Sequence, residues 1–138
     1  MSTENYIKIA QLKSVEAFQQ RSKEIGAEIP IDKAVLTAAE ASPMAQSILV
    51  GGFEVGNRWC IHPMEGWDAN TDGSPTERTI RRWHNFGISG AKFIWGGEAA
   101  AVQADGRANP NQTLATPENE AGLKLLLDTL LAALRANC

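Results

Sequence analysis

The sequence predicts an α/β fold in which parallel strands alternate with helices, preceded by a β-hairpin and a short helical extension. Three observations predict it. From residue 57 onward, short apolar runs alternate with longer stretches of helical periodicity. The first of those helices opens on a dense set of start signals, Ser74-Pro75-Thr76-Glu77. Ahead of the series, a Gly51-Gly52 pair separates two brief apolar runs, the pattern of a tight hairpin.

In chain order, Ser14 stands as an N-cap before Val15, Phe18 and Ile25 at near-helical spacing, and Gly26 stops the run, so residues 14 to 26 are expected to form a short amphipathic helix. Pro30, Ala34, Val35, Ala38 and Ala39 predict a second short helix over residues 30 to 41, ended by Ala41-Ser42-Pro43 because the residue before proline leaves the α region. These two make residues 1 to 45 a helical extension, with one further domain over residues 46 to 138. Ser47 to Gly56 form the hairpin. Trp59-Cys60-Ile61-His62 is too short and apolar for an exposed helix, and Pro63 lacks the amide hydrogen that a ladder needs, so a buried strand is expected over residues 57 to 63.

The next helix has Ser74 as its cap, Pro75 at its first position and Glu77 reaching back, with Ile80, Trp83 and Gly87 on one face and Gly90 as a left-handed stop. Ala91 to Trp95 form the second strand, which ends around Ala99 to Val102. The last helix starts at Thr116-Pro117-Glu118. Its stripe of Leu123, Leu126, Leu127, Leu130 and Leu134 is expected to cover a sheet.

Composition narrows the class. With 138 residues, 43% hydrophobic and 21% charged, the chain is not disordered. A domain of this size buries roughly 68% of its unfolded surface if its elements close on one another. A net charge of -3 and an isoelectric point near 5.4 give no basic footprint, and Arg78, Arg81 and Arg82 cluster on one helix, so no nucleic acid partner is expected. No run approaches the roughly 18 apolar residues of a membrane span, and residues 1 to 5 lack a signal-peptide layout. A cytoplasmic location and no membrane partner are expected. Cys60 and Cys138 have neither metal nor disulfide-framework spacing.

Several patterns carry chemistry. Asp68-Ala69-Asn70-Thr71-Asp72-Gly73 matches the first half of a calcium loop, but the twelfth place holds Thr79 instead of glutamate and Pro75 commits the segment to starting a helix. A polar turn is the better reading. His62 and His84 have no ligand partner at metal spacing, so no metal is expected. His84, beside Trp83 on a helix, is expected at the surface or half-buried, while His62, just before a strand-ending proline, is open to cofactor contact or packing. Glu65 and Glu98 both follow strands and are open to acid/base work as a pair, although holding a loop is the favoured role for Glu98. Gly96-Gly97 lacks the dinucleotide fingerprint and suits close approach by a ligand or a neighbouring strand. Asn111-Gln112-Thr113 is formally a glycosylation acceptor without an expected use.

Taken in order, Asn57-Arg58, Ile61-His62-Pro63-Met64-Glu65-Gly66, Asp72-Gly73-Ser74-Pro75-Thr76, Gly90-Ala91, Glu98-Ala99-Ala100-Ala101-Val102 and Gly106-Arg107 resemble the N-terminal quarter of the old yellow enzyme family, the FMN-dependent NADH:flavin oxidoreductases. The resemblance covers about residues 46 to 135. It implies the N-terminal portion of a (βα)8 TIM barrel, made of the floor hairpin plus the first two βα units. It also implies FMN as cofactor, NAD(P)H as reductant and a small-molecule acceptor such as an activated alkene. By resemblance, His62, Pro63, Met64 and Glu65 line the flavin after the first barrel strand, Ala99 touches it after the second, and Trp67 faces substrate. Glu65 departs from the family's usual threonine or cysteine, which implies either a raised pKa or a carboxylate turned away from the ring.

A complete barrel needs about 250 residues, and the family's catalytic and phosphate-binding residues lie on later strands. No catalytic residue is therefore expected within these 138 residues, and the chain alone is expected to be an inactive N-terminal fragment. The alternative is a non-catalytic interaction module completed by self-association or by a partner chain.

Overall fold

A computed structural model describes residues 6 to 137. The chain divides into two compact units, Met1–Ser42 and Pro43–Cys138.

In the first unit, helix α1 (Val15–Glu24) begins where expected: the Ser14 hydroxyl accepts a hydrogen bond from the Ala17 amide at 3.2 Å. Glu16 sits in its first turn and Arg21 and Lys23 in its last, each sign matched to the helix dipole. Gly26 closes it at φ 68°. The second helix expected over residues 30 to 41 does not form. Only Ala38–Glu40 makes a single 3-10 turn, in which the Thr37 amide and hydroxyl both donate to the Glu40 carboxylate, and Ala41 ends it at φ 59°. Residues 30 to 41 are exposed throughout, with Val35 at 95%, so no packed face offsets the entropy of winding a short helix.

The second unit is mixed α/β. Strands β1 (Ile48–Val50) and β2 (Phe53–Val55) form the expected antiparallel hairpin, with Ile48 opposite Val55 and Val50 opposite Phe53. Gly51 at φ 57° and Gly52 at φ 85° supply the two left-handed positions of its turn. Strands β3 (Cys60–Ile61) and β4 (Phe93–Ile94) pair in parallel, Cys60 with Phe93 and Ile61 with Ile94. Strand β3 is shorter than the expected 57 to 63. At its start, the Asn57 side chain takes over the pairing, donating to the Gly90 carbonyl and accepting from the Lys92 amide. At its end, the Ile61 carbonyl accepts from the Trp95 amide before Pro63 interrupts the ladder.

Helix α2 (Glu77–Ile88) connects β3 to β4. Its cap is Thr76, two residues after the expected Ser74: the Thr76 hydroxyl and the Thr79 amide pair, and the Thr79 hydroxyl answers the Thr76 amide. Ser74 is held instead by the Asp72 carboxylate, which accepts from both its amide and its hydroxyl. Gly90 follows the helix at φ 80°, as expected.

Helix α3 (Glu120–Ala136) follows a 3-10 turn at Pro117–Asn119. Its buried side, Leu126, Leu130 and Ala133, packs on α2 and not on the expected sheet. The reason is Gly87: with no side chain there, the two helices approach until a Cβ on residue 87 would lie 2.5 Å from the Leu130 carbonyl oxygen. Leu125 and Leu127 stay half exposed. No helix among the described residues is long and apolar enough to cross a membrane.

Candidate functional site

The two parallel strands deliver their C-terminal ends side by side, and hydrogen bonds from main-chain amides join the turns that follow. The Ala99 amide donates to the Met64 carbonyl at 3.1 Å, and the Gly66 amide donates to the Glu98 carboxylate at 3.1 Å. Gly96 at φ 84° and Gly97 at φ 60° supply the left-handed backbone of the second turn, where a Cβ would make only ordinary contact, at Gly96 with Pro63 and at Gly97 with Phe86 and Trp83 of α2. The glycine pair thus serves the backbone conformation of the turn.

Beneath the joined turns lies an ion network that links both to α2. Arg82 donates through Nη2 to Asp68 at 2.8 Å and to Glu98 at 2.7 Å, while its Nε reaches the second Asp68 oxygen at 3.1 Å. The Thr79 hydroxyl also lies 3.0 Å from Asp68 Oδ1. The hydrogen bonds from Arg82 hold the Asp68 carboxyl below the usual aspartate range, against the opposing effect of burial. For Arg82, burial disfavours the charge, yet the bonds to Asp68 and Glu98 outweigh it and raise its pKa. The guanidinium also stands over the Phe86 ring, 5.9 Å from its centre.

The Asn109 to Gln112 loop fastens the second turn from the other side. Gln112, buried, donates to the Ala99 carbonyl and accepts from the Ala108 amide. Both main-chain polar groups of Ala99 are therefore spoken for, one by Met64 and one by Gln112. Asn111 exchanges two hydrogen bonds with Ala69, and Arg107 donates to the Thr71 and Pro110 carbonyls.

Of the residues named from sequence, His62, Pro63, Met64 and Glu65 lie together on an exposed turn with Ala99 half-buried beside them. His62 is not core packing. The amides of Met64 and Glu65 donate to no protein acceptor among the described residues. Trp67 leaves this group: at φ 50° it turns its indole to donate to the Glu65 carboxylate at 2.9 Å and lines a polar cleft of about 660 Å³ with Asn70, Glu77, Arg78 and Asn111. Glu65 and Glu98 do not form an acid/base pair, because Glu98 is only 3% exposed and committed to Gly66 and Arg82. The loop-holding role is the one that Glu98 fills. His84 lies exposed on α2.

The calcium-like loop spends its oxygens internally, Asp68 on Arg82 and Asp72 on Ser74, and the described residues contain no group of three or more His, Cys, Asp or Glu side chains able to hold a metal. A second, apolar cavity of about 440 Å³ lies between the hairpin and the start of β3, lined by Ile48, Val50, Phe53, Trp59 and Phe93.

Asp68, Arg82, Gly66 and Gln112 escape a reading of the sequence. One signal was present: Thr79 and Arg82 are three apart on α2 and so lie on the same side of the helix. Neither models of protein families nor curated proteins match the chain.

Proposed function

We propose that Pro43–Cys138 supplies the first two strand ends of the flavin seat in an FMN-dependent NAD(P)H oxidoreductase of old yellow enzyme type. The observation that carries this reading is the exposed His62 to Glu65 turn with its unspent Met64 and Glu65 amides, held against Ala99 at the C-terminal ends of two parallel strands. Such ends are where barrels of this class place their chemistry.

The residues present suit one part of the cofactor. The free amides are donors for the polar edge of a flavin ring, Ala99 is small enough to let a planar group approach, and Glu65 is drawn toward Trp67. Among the described residues the phosphate finds no such partner, since the Arg82 guanidinium beneath the turn is committed to two carboxylates. Bound flavin supplies hydride transfer; the residues of this chain bind and orient one edge of it, and none of them is assigned a proton-transfer step. On this reading the chain alone binds FMN weakly and does not turn over.

The test is a titration of the isotopically labelled 138-residue chain with FMN, followed at the backbone amides. Saturable shifts at Met64, Glu65 and Ala99, with NADH oxidation no faster than that of free flavin, are expected. An unresponsive turn at millimolar FMN removes the flavin reading.

A second reading has its own support. Leu49, Val50 and Phe53 on the hairpin and Trp59 beside it are all more than half exposed, and β3 and β4 form a sheet of two strands. We propose on that ground an interaction surface completed by another copy or by a partner chain. Sedimentation of the pure chain as a monomer at high concentration excludes self-association.

A further inference from the structure

We infer that Arg82 is the positioning residue of the proposed flavin turn, setting through Glu98 and Asp68 where the backbone of Met64 to Gly66 stands relative to Ala99. This rests on the flavin reading given above.

Glu98 is a bracket between the strand ends. Its main chain belongs to the turn after β4, and its neighbour Ala99 donates to Met64; its side chain reaches the turn after β3 and accepts from the Gly66 amide. That carboxylate is buried, and a buried carboxylate without a countercharge either takes up a proton or leaves for solvent. Arg82 is the countercharge, at 2.7 Å. The same Nη2 reaches Asp68, two residues past Gly66, so one nitrogen ties the end of this turn and the turn after β4 to α2.

The arrangement asks for arginine in particular. The Nε and Nη2 atoms grip the two Asp68 oxygens as a planar fork while Nη2 also serves Glu98, and the guanidinium plane rests over Phe86. A lysine ammonium is a point charge on a flexible stem and does not reproduce that fork. Gly66 completes the fit, since any side chain there would run into Nη2.

The experiment compares the full chain with Arg82→Lys and Glu98→Gln, measuring amide hydrogen exchange and the FMN-induced amide shifts. A positioning role predicts that Gly66 and Ala99 exchange faster in Arg82→Lys by about tenfold or more, while Leu126 and Leu130 in α3 keep their protection and the midpoint for the FMN response rises. Glu98→Gln, which keeps an oxygen for Gly66 and presents an amide to Arg82, should show the same pattern more weakly. Equal loss of protection in α3 would mark Arg82 as a general stabiliser and overturn the inference, as would unchanged exchange at Gly66 and Ala99. If the unaltered chain ignores FMN, the flavin reading fails by itself, and the exchange pattern still decides whether Arg82 holds the turn.

Discussion

Gly66 and Arg82 share one space: a Cβ atom on residue 66 would lie 1.9 Å from Arg82 Nη2. The end of an arginine ordinarily swings away from such a clash, but this one is held by Asp68 and Glu98 together. The turn after β3 and the face of α2 are thereby matched to each other. Glycine at 66 is required by volume alone, since its φ is not in the left-handed region.

Gly66→Ala is expected to destabilise the second unit by about 1–3 kcal/mol through this overlap. Combined with Arg82→Met, which removes the obstructing nitrogen, the loss should be clearly less than the sum of the two single losses. Urea unfolding of the four proteins gives the coupling; strict additivity would show that the two residues do not meet.

Gly87→Ala sets two effects against each other. Alanine in a helix interior is favoured over glycine by about 1 kcal/mol, but here its methyl would press on the backbone of α3, at Leu130 and Leu134, where nothing can rotate aside. Helix separation should win, giving net destabilisation and a lower thermal midpoint. A raised midpoint would mean that α2 and α3 are not in close contact.

Asp68 predicts an acid dependence. Its pKa is lowered in the folded chain by the bonds from Arg82, so the folded state binds fewer protons than the unfolded one around the ordinary aspartate value. The stability from this group is complete above that value, about 3.9, and disappears as pH falls through the lower folded pKa. Asp68→Asn should therefore be less stable near neutrality and show a shallower decline below about pH 4. Parallel pH profiles for the two proteins would contradict the ion network.

Gln112→Met replaces a buried amide with an apolar chain of similar size. The Ala99 carbonyl and the Ala108 amide lose their partner, and unmade buried hydrogen bonds of this kind cost about 1–3 kcal/mol. The Ala99 amide should exchange faster as its carbonyl is released. A fully stable variant would show that the Asn109 to Gln112 loop does not fasten the turn.

Local signals located most of the elements. The Ser14 cap, the Gly51-Gly52 turn, the Gly90 stop and the order of strands and helices after residue 57 were legible because each depends on residues close together in the chain. The helix over residues 30 to 41 failed for a related reason. Its alanines have adequate propensity, but nothing packs on them, and propensity alone does not hold a helix so short. The α2 cap moved from Ser74 to Thr76 because Asp72 captured Ser74 in a tighter local turn.

The candidate turn was found partly from its own residues, His62 to Glu65, since a strand ending in proline is a local pattern. What holds the turn was not. Arg82 read only as one of three arginines clustered on one helix, and its partners Asp68 and Glu98 stand 14 and 16 residues away in opposite directions. Which leucines of α3 are buried, and against what, likewise depended on the absent side chain at Gly87. Chain-local chemistry chose the helices, the turns and the alternation, because those energies are settled within a few residues. The ion network and the helix pairing came only with tertiary contact, because buried charge and close packing acquire their energies from neighbours that no stretch of chain contains.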